Sequence, residues 1–115
     1  MAKGSKKNSK GKDAPKRPAE LLPRKLDYTS QFARSWERYN KAGRYDLSQI
    51  REVCQYLVWR MPLPAQYRDH ELAGKPWMGH RELHLDGDFL LVYQRNEEKN
   101  LIMLIDIGTH SELFG

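Results

Sequence analysis

The sequence predicts an α+β domain in which two helices, paired as an αα-hairpin, cover one face of an antiparallel sheet in the order βααβββ. Three observations carry this. Apolar residues recur at helical spacing in two stretches either side of Gly43, three short apolar-rich segments after Gly79 are separated by turn residues, and Pro62 and Pro64 divide the two patterns. With 115 residues, 39% hydrophobic and 30% charged, the chain has material for one modest core.

Residues 1–23 are rich in Lys, Gly, Ser and Pro, with almost nothing apolar before Leu21. Such a stretch cannot bury enough surface to offset the entropy of ordering, so it is expected to be a disordered basic tail, and residues 24–115 the folded domain. Lys25 to Tyr28 alternate as a short first strand. Thr29 or Ser30 then stands as an N-cap, and Phe32, Ala33, Trp36 and Tyr39 fall on one face of a helix that Lys41-Ala42-Gly43 brings to a stop. Asp46 or Ser48 opens a second helix bearing Leu47, Ile50, Cys54, Leu57, Val58 and Met61. Trp36 and Trp59 are expected in the core, as is Cys54, the single cysteine, which has no partner for a disulfide and no CxxC spacing for a metal. Proline lacks the amide donor and clashes with the preceding turn, so Pro62 and Pro64 end the second helix. A long loop runs to Gly79. His80–Leu85, Phe89–Arg95 and Leu101–Ile107 then read as strands joined at Asp86-Gly87-Asp88 and at residues 96–100.

Several classes of function are excluded. No run approaches the roughly 18 apolar residues of a membrane span, and no apolar stretch follows the basic start as in a secretory signal, so a cytoplasmic protein is expected. The formal net charge of +5 invites a nucleic-acid reading, but its distribution is uneven. Residues 1–25 carry nine Lys or Arg against two acids, a net of +7; the rest carry eleven against thirteen, a net of −2. Contacts to RNA from the body must therefore come from local clusters, with the tail adding nonspecific phosphate attraction.

All four histidines, His70, His80, His84 and His110, lie in the loop-and-sheet half, among Arg68, Asp69, Lys75, Arg81, Asp86 and Asp88. Cleavage of RNA through its 2′-hydroxyl needs a base, an acid and a cation or amide donors for the phosphate. Histidine suits the first two roles, since its reference pKa of about 6.5 makes both protonation states accessible. A metal site is the rival reading; His80 and His84 share a strand face, but two ligands do not close a site and no HxH or HExxH spacing is present. Taken singly, His70 reads as a solvated loop histidine, His84 as a residue of the exposed sheet face, and His110 as a turn cap. Tyr67, Trp77 and Phe89 are candidates to stack on unpaired bases.

The string Leu63-Pro64-Ala65, Tyr67, Asp69-His70, Leu72, Gly74, Trp77, Gly79, Arg81, His84, Asp88, Tyr93, Gly108-Thr109-His110 and Leu113-Phe114-Gly115 resembles the YafQ branch of RelE-type mRNA interferases, from about Arg24 onward. The resemblance implies a RelE-like, microbial-RNase-type fold and an enzyme: a ribosome-dependent endoribonuclease, the toxin of a type II toxin–antitoxin pair, acting on translated mRNA without metal or cofactor. It implies catalytic roles for His70, His84, Asp88 and His110, without dividing base from acid. Substrate contacts are implied for Phe89 and Phe114; beside the resemblance, Arg68, Lys75 and Arg81 are the nearby cations available to meet the phosphate charge. Its implied partners are the ribosome, mRNA and an antitoxin of the DinJ or RelB kind. One departure stands out: the family's arginine four residues before the last histidine is Asp106 here. A carboxylate there would repel phosphate unless it points elsewhere, which keeps open a weakened nuclease or an RNA-binding module. A ParE-like, gyrase-poisoning toxin shares the fold, but its activity does not need the histidines.

Overall fold

The computed structural model describes residues 22–115. The expected tail lies outside the described residues except for Leu22 and Pro23, whose carbonyls accept hydrogen bonds from Arg60 Nε (3.1 Å) and Asn100 Nδ2 (3.1 Å).

The chain folds as β1 (Lys25–Tyr28), α1 (Ser30–Ala42), α2 (Ser48–Val58), a 3-10 turn (Ala65–Tyr67), β2 (His70–Glu71), β3 (Arg81–Asp86), β4 (Phe89–Asn96), β5 (Leu101–Thr109) and α3 (His110–Phe114). Thr29 caps α1: its side chain accepts the Phe32 amide and donates to the Ile105 carbonyl, tying the helix start to the sheet. Gly43, at φ +68°, closes the helix with its amide on the Tyr39 carbonyl (3.1 Å), a left-handed conformation that favours glycine. Asp46 Oδ1 accepts both the Ser48 amide (3.0 Å) and hydroxyl (2.6 Å) and so starts α2.

The sheet order is β1-β5-β4-β3-β2. It is mixed rather than antiparallel throughout, because β1 pairs parallel with β5, Lys25 opposite Leu101. The expected βααβββ order stands, with two additions: the two-residue β2, which pairs with β3 inside the long loop, and the short α3.

Central β4 is buried on both faces from Phe89 to Tyr93. Phe89, Leu91 and Tyr93 join Leu83, Leu85, Ile102, Leu104 and Ile107 in one core with Phe32, Tyr39, Ile50, Val53, Cys54 and Leu57 of the helices. Burial of its surroundings pushes the Cys54 thiol up to about 11, which suits a packing role. Leu90 and Val92 point the other way, since neighbouring strand residues face opposite sides. Two expectations of burial are corrected. Trp36 and Trp59 are 39% and 58% exposed, because α1 buries Phe32, Ser35 and Tyr39, and Trp59 lies past the last turn of α2. Tyr67, by contrast, is buried in the core and is no stacking platform.

Candidate active site

Directly opposed residues on neighbouring strands share a face. Glu82 lies opposite Val92 and His84 opposite Leu90, so both project from the outer face, the one away from α1 and α2. His70 of β2 lies opposite Glu82. The three side chains meet: Nε2 of His70 and Nε2 of His84 each lie 3.8 Å from Glu82 Oε2, and the two rings are 6.5 Å apart. The Glu82 side chain is only 8% exposed, while those of His70 and His84 are 51% and 24% exposed. A buried carboxylate needs partners, and either histidine becomes one when its Nε2 takes up a proton.

Both rings are oriented from behind. His70 Nδ1 lies 2.8 Å from the Arg68 carbonyl and His84 Nδ1 lies 3.2 Å from the Gly87 carbonyl. A carbonyl only accepts, so each Nδ1 carries the hydrogen and each Nε2 is left to handle a proton. Arg68 reaches this position through a left-handed backbone at φ +51°. Glu82 is the residue that sequence reasoning missed; its spacing of two from His84 on a strand was the available signal.

The turn after β3 binds a second group to the first. While Gly87 orients His84, Asp88 Oδ1 accepts the backbone amide of His110 (3.3 Å) at the start of α3. Thr109 and Glu112 form a capping box on that helix. Glu112 also accepts the Tyr39 hydroxyl and an Arg38 guanidinium N–H (3.2 Å), which ties α3 to α1. The Tyr39 hydroxyl, Thr109 amide and Arg38 together hold the Glu112 carboxyl below the usual range, against its desolvation. Gly108 lies where α3 turns back on the strand: a Cβ there would meet Glu112 Oε1 at 3.1 Å. From His110 a row of rings runs across this side, His110 to Phe114 (5.2 Å), Phe114 to Trp77 (5.0 Å) and Trp77 to His80 (5.4 Å). Trp77 and Phe114 are partly exposed, as a base-stacking surface requires. His80 joins this row rather than the Glu82 pair, which ends its reading as a co-ligand with His84.

Two candidates are corrected. Phe89 is wholly buried, its ring stacked on Tyr45 (4.3 Å, 7° between planes) and tilted on Tyr39 (4.8 Å), so it cannot receive a base. Arg81 lies opposite Tyr93 and thus on the core face. Its guanidinium pairs with Asp69 (2.9 Å), which also accepts the Tyr93 hydroxyl (2.6 Å). This pairing raises the Arg81 pKa, and burial followed by Asp69 raises that of Tyr93. Arg68 and Lys75 remain as exposed cations in the loop that flanks the histidines. Asp106 accepts the Ser35 hydroxyl of α1 (2.6 Å) and the Ile107 amide (2.9 Å), so its carboxylate is engaged by the helix rather than by the histidines. Among the described residues no group of three or more His, Cys, Asp or Glu side chains is arranged to hold a metal ion.

A model of the family described as the bacterial toxin of a type II toxin–antitoxin system, YafQ, matches residues 24–115. The chain is 30% identical over 96 residues to the mRNA interferase toxin YafQ of Escherichia coli K12, covering 83% of this chain and all of that protein. It resembles the crystal structure of a metal-bound toxin from Helicobacter pylori with a TM-score of 0.73 at 35% identity, over 79% of this chain and 99% of the other. A chain in the crystal structure of the E. coli DinJ–YafQ toxin–antitoxin complex matches with a TM-score of 0.72 at 30% identity, over 82% of this chain and 100% of that one.

Proposed function

This chain belongs to the YafQ family of bacterial type II toxins, and on that footing we propose that it is a ribosome-associated endoribonuclease that cuts translated mRNA and thereby arrests growth. The observation that carries the reading is the pair of oriented histidines, His70 and His84, sharing Glu82 on an accessible sheet face. One histidine Nε2 takes the proton of a ribose 2′-hydroxyl as that oxygen attacks the adjacent phosphorus. The bond from phosphorus to the 5′-oxygen breaks, and a protonated histidine returns a proton to the leaving oxygen. The products are a 2′,3′-cyclic phosphate and a 5′-hydroxyl end. Positioned acid and base groups of this kind contribute about 10²–10⁴-fold each.

Glu82 is a positioning residue, holding both rings and stabilising whichever is charged. His110 completes the set from α3, fixed there by Asp88 beneath its amide. Arg68 and Lys75 meet the phosphate charge in place of the arginine that Asp106 replaces. Trp77 and Phe114 offer faces to the bases flanking the cut. Residues 24–115 form the toxin domain and residues 1–23 a basic tail that adds salt-dependent attraction to RNA.

The E. coli relative is seen in complex with DinJ. By the same logic this chain is held by an antitoxin of that kind, one of whose segments covers the histidines. No described helix is long and apolar enough to cross a membrane. Action on translating ribosomes, as proposed, is an activity of the cytoplasm.

Growth after induction, with primer extension on a translated message, tests the reading. Wild type is expected to arrest growth and cut within codons, and His84→Ala and His110→Ala to stay folded and lose cutting. Arrest without cutting would move the target away from mRNA.

A further inference from the structure

Away from the histidines, three arginines converge on one carboxylate. Arg24 donates to Glu97 twice, Nη2 to Oε2 at 2.8 Å and Nε to Oε1 at 3.3 Å. Arg95 Nε lies 3.3 Å from Oε2, and Arg60 Nη1 lies 3.7 Å from Oε1. Three positive charges thus face one negative. The adjoining cavity, about 280 Å³, is lined by all three arginines, and the one acid lining it, Asp69, is already paired with Arg81.

The cluster is built rather than incidental. The Arg24 side chain is 9% exposed and donates to the Leu57 carbonyl (2.9 Å); that of Arg60 is 19% exposed and donates to the Leu22 carbonyl and to Asn100. Two guanidiniums are therefore fixed before any anion arrives, and their planar donors suit a phosphate's oxygens. Charges in such partly desolvated places attract an anion more strongly than those on open surface. Glu97, the carboxylate the arginines share, is 57% exposed at the rim.

We propose that this arginine cluster binds a backbone phosphate of folded RNA, in a segment other than the one being cut. The polyanion, rather than a lone phosphate, is favoured by what adjoins the site. Arg60 holds the carbonyl of Leu22, the residue to which the basic sequence 1–21, with seven Lys or Arg against Asp13 and Glu20, is joined. A separate segment is favoured by position. Arg95 lies five residues along β4 from Leu90, the partner of His84, which is roughly 17 Å at strand rise, and its odd spacing places it on the opposite face. The inference rests on the RNA-directed function proposed above.

The test uses full-length chain in a His84→Ala background, so that a labelled RNA hairpin is bound without being cut. Affinity is read by fluorescence anisotropy from about 50 to 200 mM salt. Arg95→Gln is expected to flatten the slope of log affinity on log salt by about 0.7–0.9, the loss of one phosphate contact. Glu97→Gln is expected to tighten binding severalfold at low salt, since it removes the competing carboxylate. An unchanged slope for Arg95→Gln overturns the proposal. So does a folded Glu97→Gln that binds no tighter, which would make the arginines a clasp for Glu97 alone. Stabilisation by inorganic phosphate with no change in the RNA slope would also overturn it, in favour of a free anion. Should wild type cut no message at all, the nuclease reading falls while the salt slopes still decide this site.

Discussion

Replacing Phe89 by alanine separates a ring that packs from a ring that reads RNA. The side chain has no exposed surface and stacks on Tyr45 at 4.3 Å while leaning on Tyr39 at 4.8 Å. Truncation leaves a void beneath both tyrosines, and Phe→Ala changes in such cores cost about 3–5 kcal/mol. Against a typical domain stability of about 5–15 kcal/mol this is a large fraction, and at about 4–8 °C per kcal/mol the melting temperature falls by about 12 °C or more. Phe89→Leu keeps most of the volume and is expected to cost less than about half as much. Thermal melts by circular dichroism, paired with cleavage assays at a temperature where each variant is folded, give the two readouts. Both variants are expected to cut RNA at near wild-type rate per folded molecule. The packing argument fails if Phe89→Ala melts within about 1 kcal/mol of wild type yet cuts about 10²-fold more slowly.

Glu82→Gln keeps the shape of the side chain but removes the charge that holds both histidines; kcat is expected to fall by about 10²-fold with KM little changed, as steady-state kinetics on a short RNA will show. Thr29→Ala removes an acceptor for the Phe32 amide and a donor to the Ile105 carbonyl, and urea titration is expected to register a loss of about 1–2 kcal/mol. Because the folded pKa of Glu112 is depressed, its contribution to stability is full above the unfolded value of about 4.3 and is lost as pH falls through the folded pKa. Wild type is therefore expected to exceed Glu112→Gln in urea midpoint at neutral pH and to converge with it in acid; a gap that stays constant into acid removes the charge from the explanation. Asp106→Ala is expected to leave cleavage intact while lowering stability, since its partners are Ser35 and the Ile107 amide; faster cleavage would show the carboxylate acting on the phosphate.

Local signals made much of this fold legible. Thr29 and Gly43 mark the ends of α1 because cap chemistry is written into three or four consecutive residues. The three later strands show through short apolar runs bounded by the turn residues at 86–88 and 96–100. What local signals do not reveal is pairing: nothing in Lys25–Tyr28 says that its neighbour is β5 and that it runs parallel. The same limit misplaced Phe89 and Arg81. Alternation says that residues 89, 91 and 93 share a face, but in a central strand buried on both sides it does not say which face meets the helices. Trp36 and Trp59 were misjudged because size suggests burial, while a helix face is decided by the wider set of contacts. The histidines were legible as a group, and the resemblance named three of them; Glu82 was not, since a lone acid on a strand reads as solvated. The capping box at Thr109 and Glu112 was visible in the letters, but a helix of five residues carries no periodicity to draw attention to it.

The pairing of β1 with β5 also sets an order of events during synthesis. Lys25 leaves the ribosome long before its partner Leu101, 76 positions later (101 − 25). At about 5–20 residues per second, several seconds pass in which the first strand has no neighbour and the sheet cannot close. His110 and Phe114 emerge later still, so the nascent chain holds His70 and His84 without His110. On the activity proposed above, the chain has no complete histidine set until the last strand and α3 have been made, and an antitoxin already present meets the enzyme as it becomes competent.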